Sequence, residues 1–275
     1  MRTVSGVPAK RLRDHVVGHG ISALSLDDVV EMTGLSRSAA TEAMRRARTS
    51  GQFFVPAPGL YIPIPSEFST WGVVPAMDFI DQLMKHMGRF YYVGLLSAAE
   101  VHGAAHQRPQ VFQVFVDKAV SDRDIERVRL RFYERSDLDA AAVQLVNSRT
   151  SRVRVSTPEA TAFDLVSRPR DSGALFNVAT IIGELVQDEK LDAAKLAGLA
   201  PRYPLAVVRR LGWLLDRDAE FVDTSALSDA LSDFVRSNSV DGRRAVDLLA
   251  TGGPRRGSTN RKWGLVENAD VEPDL

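Results

Sequence analysis

The sequence predicts an α+β chain in two parts, a small N-terminal domain over residues 1–72 and a larger mixed α/β domain over residues 73–275, and three observations carry this. Apolar residues recur at helical spacing twice between Ser25 and Gly51 and then give way to two short strand-like runs. A stretch of prolines and small polar residues from Pro65 to Pro75 interrupts both patterns. Behind it, segments rich in β-branched and aromatic residues precede a long run of helices, so that an antiparallel or mixed sheet with a helical C-terminal half is expected.

Met1 to Pro8 reads as a loose arm. Lys10 to Val17 places Leu12, Val16 and Val17 on one helical face and Lys10, Arg11 and Arg13 opposite, a supporting helix whose basic side can lie along a phosphate strand. Ser25 is a good N-cap for a short helix carrying Leu26, Val29 and Val30, and Gly34 can take the positive φ that ends it. Ser36 caps the next helix. Its apolar members are Ala40, Ala43, Met44 and Ala47, which leaves Arg37, Ser38, Thr41, Arg45 and Arg48 pointing outward. Gly51 closes it. Gln52 to Val55 and Leu60 to Pro63 then pair around Pro56-Ala57-Pro58-Gly59. Helix, tight turn, helix and hairpin in this order form a winged helix-turn-helix, and its second helix is the expected reader of a DNA major groove.

In the second part, Met77 to Met87 keeps helical spacing. Arg89 to Gly103 reads as a short extended segment entering a helix, and Val111 to Val116 as a buried strand. Val128 to Phe132 and Arg152 to Val155 alternate aliphatic or aromatic residues with arginine, the pattern of strands covered on one side. If these two strands are neighbours, Arg129, Arg131, Arg152 and Arg154 share a face, which is either a second basic surface or an ordinary solvated one. Ser156-Thr157-Pro158-Glu159 starts a helix with proline early in it. Helices are expected over Ala174 to Val186, Ala193 to Leu199, Pro204 to Leu215 and Ala226 to Val235. A basic loop from Thr251 to Ser258 and a terminal strand near Trp263 follow.

Charge locates the function more narrowly than it bounds it. The 35 basic and 35 acidic residues of this 275-residue chain cancel, so DNA binding must come from a patch rather than from general polycationic character. Between Ser36 and Gly51 stand Arg37, Arg45, Arg46 and Arg48 against one acid, Glu42, which either faces solvent or accepts from a cytosine amino group. Arginines reach phosphates and guanine edges, and small hydroxyls at a helix start let the backbone approach a phosphate. The absence of cysteine excludes disulfides and thiolate chemistry, and no apolar run is long enough to span a membrane, so a cytoplasmic protein is expected.

No catalytic constellation is legible, and neither a cofactor nor a metal is expected. His15/His19 and His102/His106 have the i, i+4 spacing of chelating pairs, but two ligands are not a site and no H-E-x-x-H arrangement occurs. The glycine-rich loop near Gly252 lacks the lysine-hydroxyl ending of a P-loop, and there is neither a G-x-G-x-x-G nor a G-x-S-x-G elbow.

With the helix-turn-helix in front, and YYVGLLSAAEVHG, VFQVFVDK, RVRVSTPEATAFDLV and RKWGLVEN behind it, the chain resembles the AbiEi family of bacterial antitoxins. The resemblance covers nearly the whole chain. It implies a DNA-binding first domain, with Ser36, Arg37, Ser38, Thr41 and Arg45 as the matching positions of the recognition helix. It further implies a second domain needed for full antitoxin activity, operators built as inverted repeats in double-stranded DNA, and repression of an operon that also encodes a nucleotidyltransferase-like toxin. The competing expectation is an antitoxin that acts on the toxin protein itself, by direct masking or by enzymatic modification.

Overall fold

The computed structural model describes residues 6–105, 109–138, 141–218, 222–238, 247–251, 253, 254 and 256–271. Two compact units emerge. The first comprises residues 1–92, 110–139 and 145–154, and the second residues 93–109, 140–144 and 155–275; Gly72 lies inside the first.

The first unit begins with α1 (Leu12–Gly18), β1 (Leu24–Ser25), α2 (Leu26–Thr33), α3 (Arg37–Thr49), β2 (Phe53–Ala57) and β3 (Leu60–Pro63). Their apolar faces meet in a core of Leu12, Val16, Leu24, Val29, Ala40, Met44 and Phe53. The three strands form a sheet in the order β1-β3-β2, both pairings antiparallel. Period-two alternation gives this small sheet two apolar sides. Phe53 and Leu24 enter the core under the helices. Phe54 and its partner Ile62 point the other way, where the ring of Phe54 meets Phe79 edge-on with centroids 5.1 Å apart. The backbone of the hairpin is held from that side as well, for Arg123 donates to the Pro56 carbonyl at 2.6 Å and His86 to that of Pro58 at 3.0 Å. The expected wing is therefore covered on both faces.

After a turn at Ala76–Asp78, α4 (Ile80–His86) buries Ile80, Leu83 and Met84. The remaining strands are β4 (Tyr91–Val93), β5 (Phe112–Val116), β6 (Arg123–Ile125), β7 (Val128–Glu134), β8 (Val143–Asn147) and β9 (Arg152–Ser156), and they form one sheet in the order β6-β7-β5-β4-β9-β8. Parallel pairs (β5 with β7, β4 with β9) and an antiparallel pair (β6 with β7) make it mixed. One side carries Val93, Val114, Leu130, Val153 and Val155, all fully buried.

The second unit is mainly helical, with α5 (Leu95–His102), α6 (Pro158–Ser167), α7 (Ala174–Gln187), α8 (Ala193–Leu199), α9 (Leu205–Asp218) and α10 (Ser225–Asn238). Thr157 caps α6 through a bond from Ala160 N and Pro158 occupies its first turn, as the sequence indicated. Phe163, Val178, Ile182, Leu185, Leu211, Leu215 and Leu231 fill its core. Near the C-terminus β10 (Asp247–Leu248), β11 (Ser258–Asn260) and β12 (Leu265–Glu267) make a small sheet. Trp263 sits in the turn before β12 rather than in a strand. Its indole N–H donates to Asp216 of α9 at 2.6 Å, and Lys262 reaches the same carboxylate at 2.8 Å. Among the described residues no helix is long and apolar enough to cross a membrane.

Candidate nucleic-acid interface

The helix-turn-helix is built by local chemistry at each boundary. Ser25 and Asp28 exchange bonds in a capping box at the start of α2, Ser25 N donating at 2.7 Å and Asp28 N at 3.1 Å. Gly34 ends that helix with a φ of +68°, which a side chain would strain. Ser36 then caps α3 by accepting from Ala39 N at 3.3 Å, and Gly51 takes a φ of +69° just past its end. Because Ala40, Ala43 and Met44 are buried, the helical period leaves Ser36, Arg37, Ser38, Thr41, Glu42, Arg45, Arg46, Arg48 and Thr49 exposed.

Within that face Arg37, Arg45 and Arg46 are already paired. Arg37 forms an ion pair with Asp27 of α2. Glu42 accepts from Arg45 through two bonds, Nε at 3.0 Å and Nη2 at 2.8 Å, and from Arg46 Nη1 at 3.3 Å. The hydrogen bond from Arg45 holds the Glu42 carboxyl below the ordinary carboxylate range and raises the arginine in turn. Thr41 and Thr49 turn their hydroxyls back onto the carbonyls of Arg37 and Arg45. The sequence left Glu42 to solvent or a cytosine amino group, although its spacing to Arg45 and Arg46, three and four residues on a helix, is a signal that could have found this pairing; Asp27, ten residues before Arg37, gave no such signal.

In the turn of 3-10 helix that leads into α1, Ala9–Arg11, Lys10 and Arg11 are exposed. Arg13 is half-buried, paired with Asp14 at 2.7 Å and donating to the Ile64 carbonyl at 3.4 Å, so its side chain is turned to the protein. His15 and His19 stack with centroids 4.1 Å apart, and His19 Nδ1 engages the His15 carbonyl at 2.8 Å.

The four arginines of the larger sheet lie on β7 and β9. Their strands are not neighbours, because β5 and β4 lie between β7 and β9. The register of β5 with β7 and of β4 with β9, together with the stacked rings of Tyr92 and Phe115 at 4.9 Å, still leaves the arginines on one side of the sheet, separated by those aromatic side chains. Nor is that face simply solvated. Arg131 pairs with Asp124 at 2.7 Å and with Asp122 at 3.7 Å, while Arg154 donates to the Tyr91 carbonyl at 3.2 Å. Arg129 and Arg152 are the exposed members.

A buried polar group in the second unit was missed in the sequence. Glu159 of α6 is 1% exposed; its Oε1 accepts from Asp192 N at 3.2 Å, at the cap of α8, with Lys195 Nζ 4.0 Å away. Tyr203 stacks on Phe163 and donates to Asp164 at 3.0 Å. His102 Nε2 donates to the Ser156 carbonyl at 2.8 Å, and burial lowers its pKa. These groups tie helix starts and strand ends together. His106, the proposed mate of His102, lies outside the described residues, as do Gly252 and Arg255 of the basic loop. No group of three or more metal-ligating side chains occurs among the described residues.

Residues 92–217, from β4 through α9, match the family described as the AbiEi antitoxin C-terminal domain. That segment is similar to the AbiEi antitoxin family. The crystal structure of the RV2827C protein from Mycobacterium tuberculosis matches this chain with a TM-score of 0.68 at 16% identity, over 96% of this chain and 94% of that one. At that identity the likeness is one of fold. An antigenic nucleotidyltransferase-like protein from Paracoccidioides brasiliensis, 10% identical over 59% of this chain and 87% of its own, has a TM-score of 0.30 and carries no argument. No curated protein matches this sequence significantly.

Proposed function

We propose that this chain is an AbiEi-type antitoxin and a sequence-specific repressor of its own toxin–antitoxin operon, with residues 1–72 as the DNA-binding region and α3 as its recognition helix. One observation carries the reading: a helix anchored by Ala40, Ala43 and Met44 presents Arg37, Ser38, Thr41, Arg45, Arg46 and Arg48 on its free side, with Glu42 as the sole acid there. Such a face supplies the donors that guanine edges and phosphates accept, and Lys10 and Arg11, in the turn before α1, add phosphate contacts. Binding to inverted repeats in the promoter occludes polymerase, and the protein acts as a cytoplasmic regulator without catalysis, its functional partner being a nucleotidyltransferase-like toxin. The test is a gel-shift titration of the promoter duplex at several salt concentrations. A pull-down of the neighbouring gene product separates this from masking, which requires a stable complex, and a mass shift on that product would mark enzymatic modification instead.

A further inference from the structure

We propose that Glu42 is a specificity-determining residue of the recognition helix, holding the Arg45 guanidinium by one edge so that the other faces a guanine. The inference rests on the DNA-reading role proposed above.

A guanidinium has two edges that can form paired hydrogen bonds, the side edge through Nε and one terminal nitrogen, and the end edge through both terminal nitrogens. Glu42 occupies the side edge of Arg45, Oε2 taking Nε at 3.0 Å and Oε1 taking Nη2 at 2.8 Å. The end edge remains, and its fork matches the O6 and N7 acceptors of guanine in the major groove. Fixing the fork before DNA arrives removes rotamer freedom that would otherwise be lost on binding. Asp27 does not do the same for Arg37, because it contacts Nη1 alone.

The carboxylate also acts against wrong sequences. On a duplex without guanine at the right step, Arg45 must swing to a phosphate, which breaks the paired bonds and leaves Glu42 facing the DNA backbone with only the longer contact from Arg46 at 3.3 Å. Like charges opposed across an interface weaken the incorrect complex more than the correct one, in which the guanidinium stays between them.

The full-length protein is titrated with two duplexes of equal length, one carrying its own promoter region and one with that sequence shuffled. The parent should prefer the promoter. Glu42→Ala should strengthen binding to the shuffled duplex and reduce the preference by about tenfold, the size of effect one paired base contact supports. In the Arg45→Ala background, Glu42→Ala should cause no further loss of preference, since its action runs through that guanidinium. If Glu42→Ala raises affinity for both duplexes equally, the residue is only a negative charge and the positioning role is overturned while DNA reading stands. If the parent itself shows no preference, the repressor reading fails and this inference with it.

Discussion

The indole of Trp263 lies so close to Gly212 of α9 that a methyl group built on the glycine would penetrate its ring. Gly212→Ala should therefore destabilise the protein by about 1–3 kcal/mol through overpacking, although alanine is the better helix former by up to about 1 kcal/mol. Trp263 is fully buried, and Trp263→Ala should cost about 3–5 kcal/mol. In that background Gly212→Ala becomes neutral or stabilising. Denaturant melts of the two single variants and the double variant check this, and additive losses would contradict it.

Asp218, 7% exposed at the end of α9, is pushed up to about 6 by burial, against the pull of Arg217 beside it. Stability that depends on its protonated form is fully present below the ordinary value of 3.8 and is lost as pH rises through about 6. Asp218→Asn should raise the melting temperature at pH 7 and flatten its decline between those two values. An unchanged pH profile would show that the carboxyl titrates normally.

On the recognition helix, Arg37→Ala and Arg45→Ala should each weaken promoter binding by about tenfold to hundredfold if the arginine reads a guanine. If it holds a phosphate, the loss is uniform across sequences and the salt dependence becomes shallower. Arg46 and Arg48 should matter less. Unchanged affinity in the Arg37/Arg45 double variant would remove α3 from the groove.

The larger sheet separates two kinds of arginine. Reversing charge at Arg131 sets a carboxylate beside Asp122 and Asp124, and at Arg154 it removes the donor to the Tyr91 carbonyl, so both variants should melt at lower temperature. Arg129→Glu with Arg152→Glu should leave melting unchanged, since exposed positions bury little. That pair is the cleaner probe of a second DNA-binding surface: a fall in both affinity and salt slope supports it, and parental binding leaves an ordinary solvated face.

The N-terminal elements were legible because each is fixed by near neighbours. Ser25, Gly34, Ser36 and Gly51 mark boundaries by capping chemistry or positive φ, and both helices bury the stripe their spacing predicts. Strand order was not legible, because alternation in Val128–Glu134 and Arg152–Ser156 says which residues share a side but not which strands intervene. The short strands β6 and β8 escaped for a related reason: Arg123–Ile125 and Val143–Asn147 are too short or too exposed to alternate clearly. Pairing on α3 was readable from the position of Glu42, whereas the contacts of Glu159 with α8 and of Trp263 with α9 join residues distant in sequence.

The hairpin covered on both faces bears on what happens when the chain is shortened. A fragment ending at Gly72 would keep α3 and every residue proposed to touch DNA, yet it would lose Phe79, His86 and Arg123, which cover Phe54 and hold the Pro56 and Pro58 carbonyls. The outer side of β2 and β3 would then offer a bare apolar strip to other molecules, and the isolated fragment should self-associate during purification or fall out of solution.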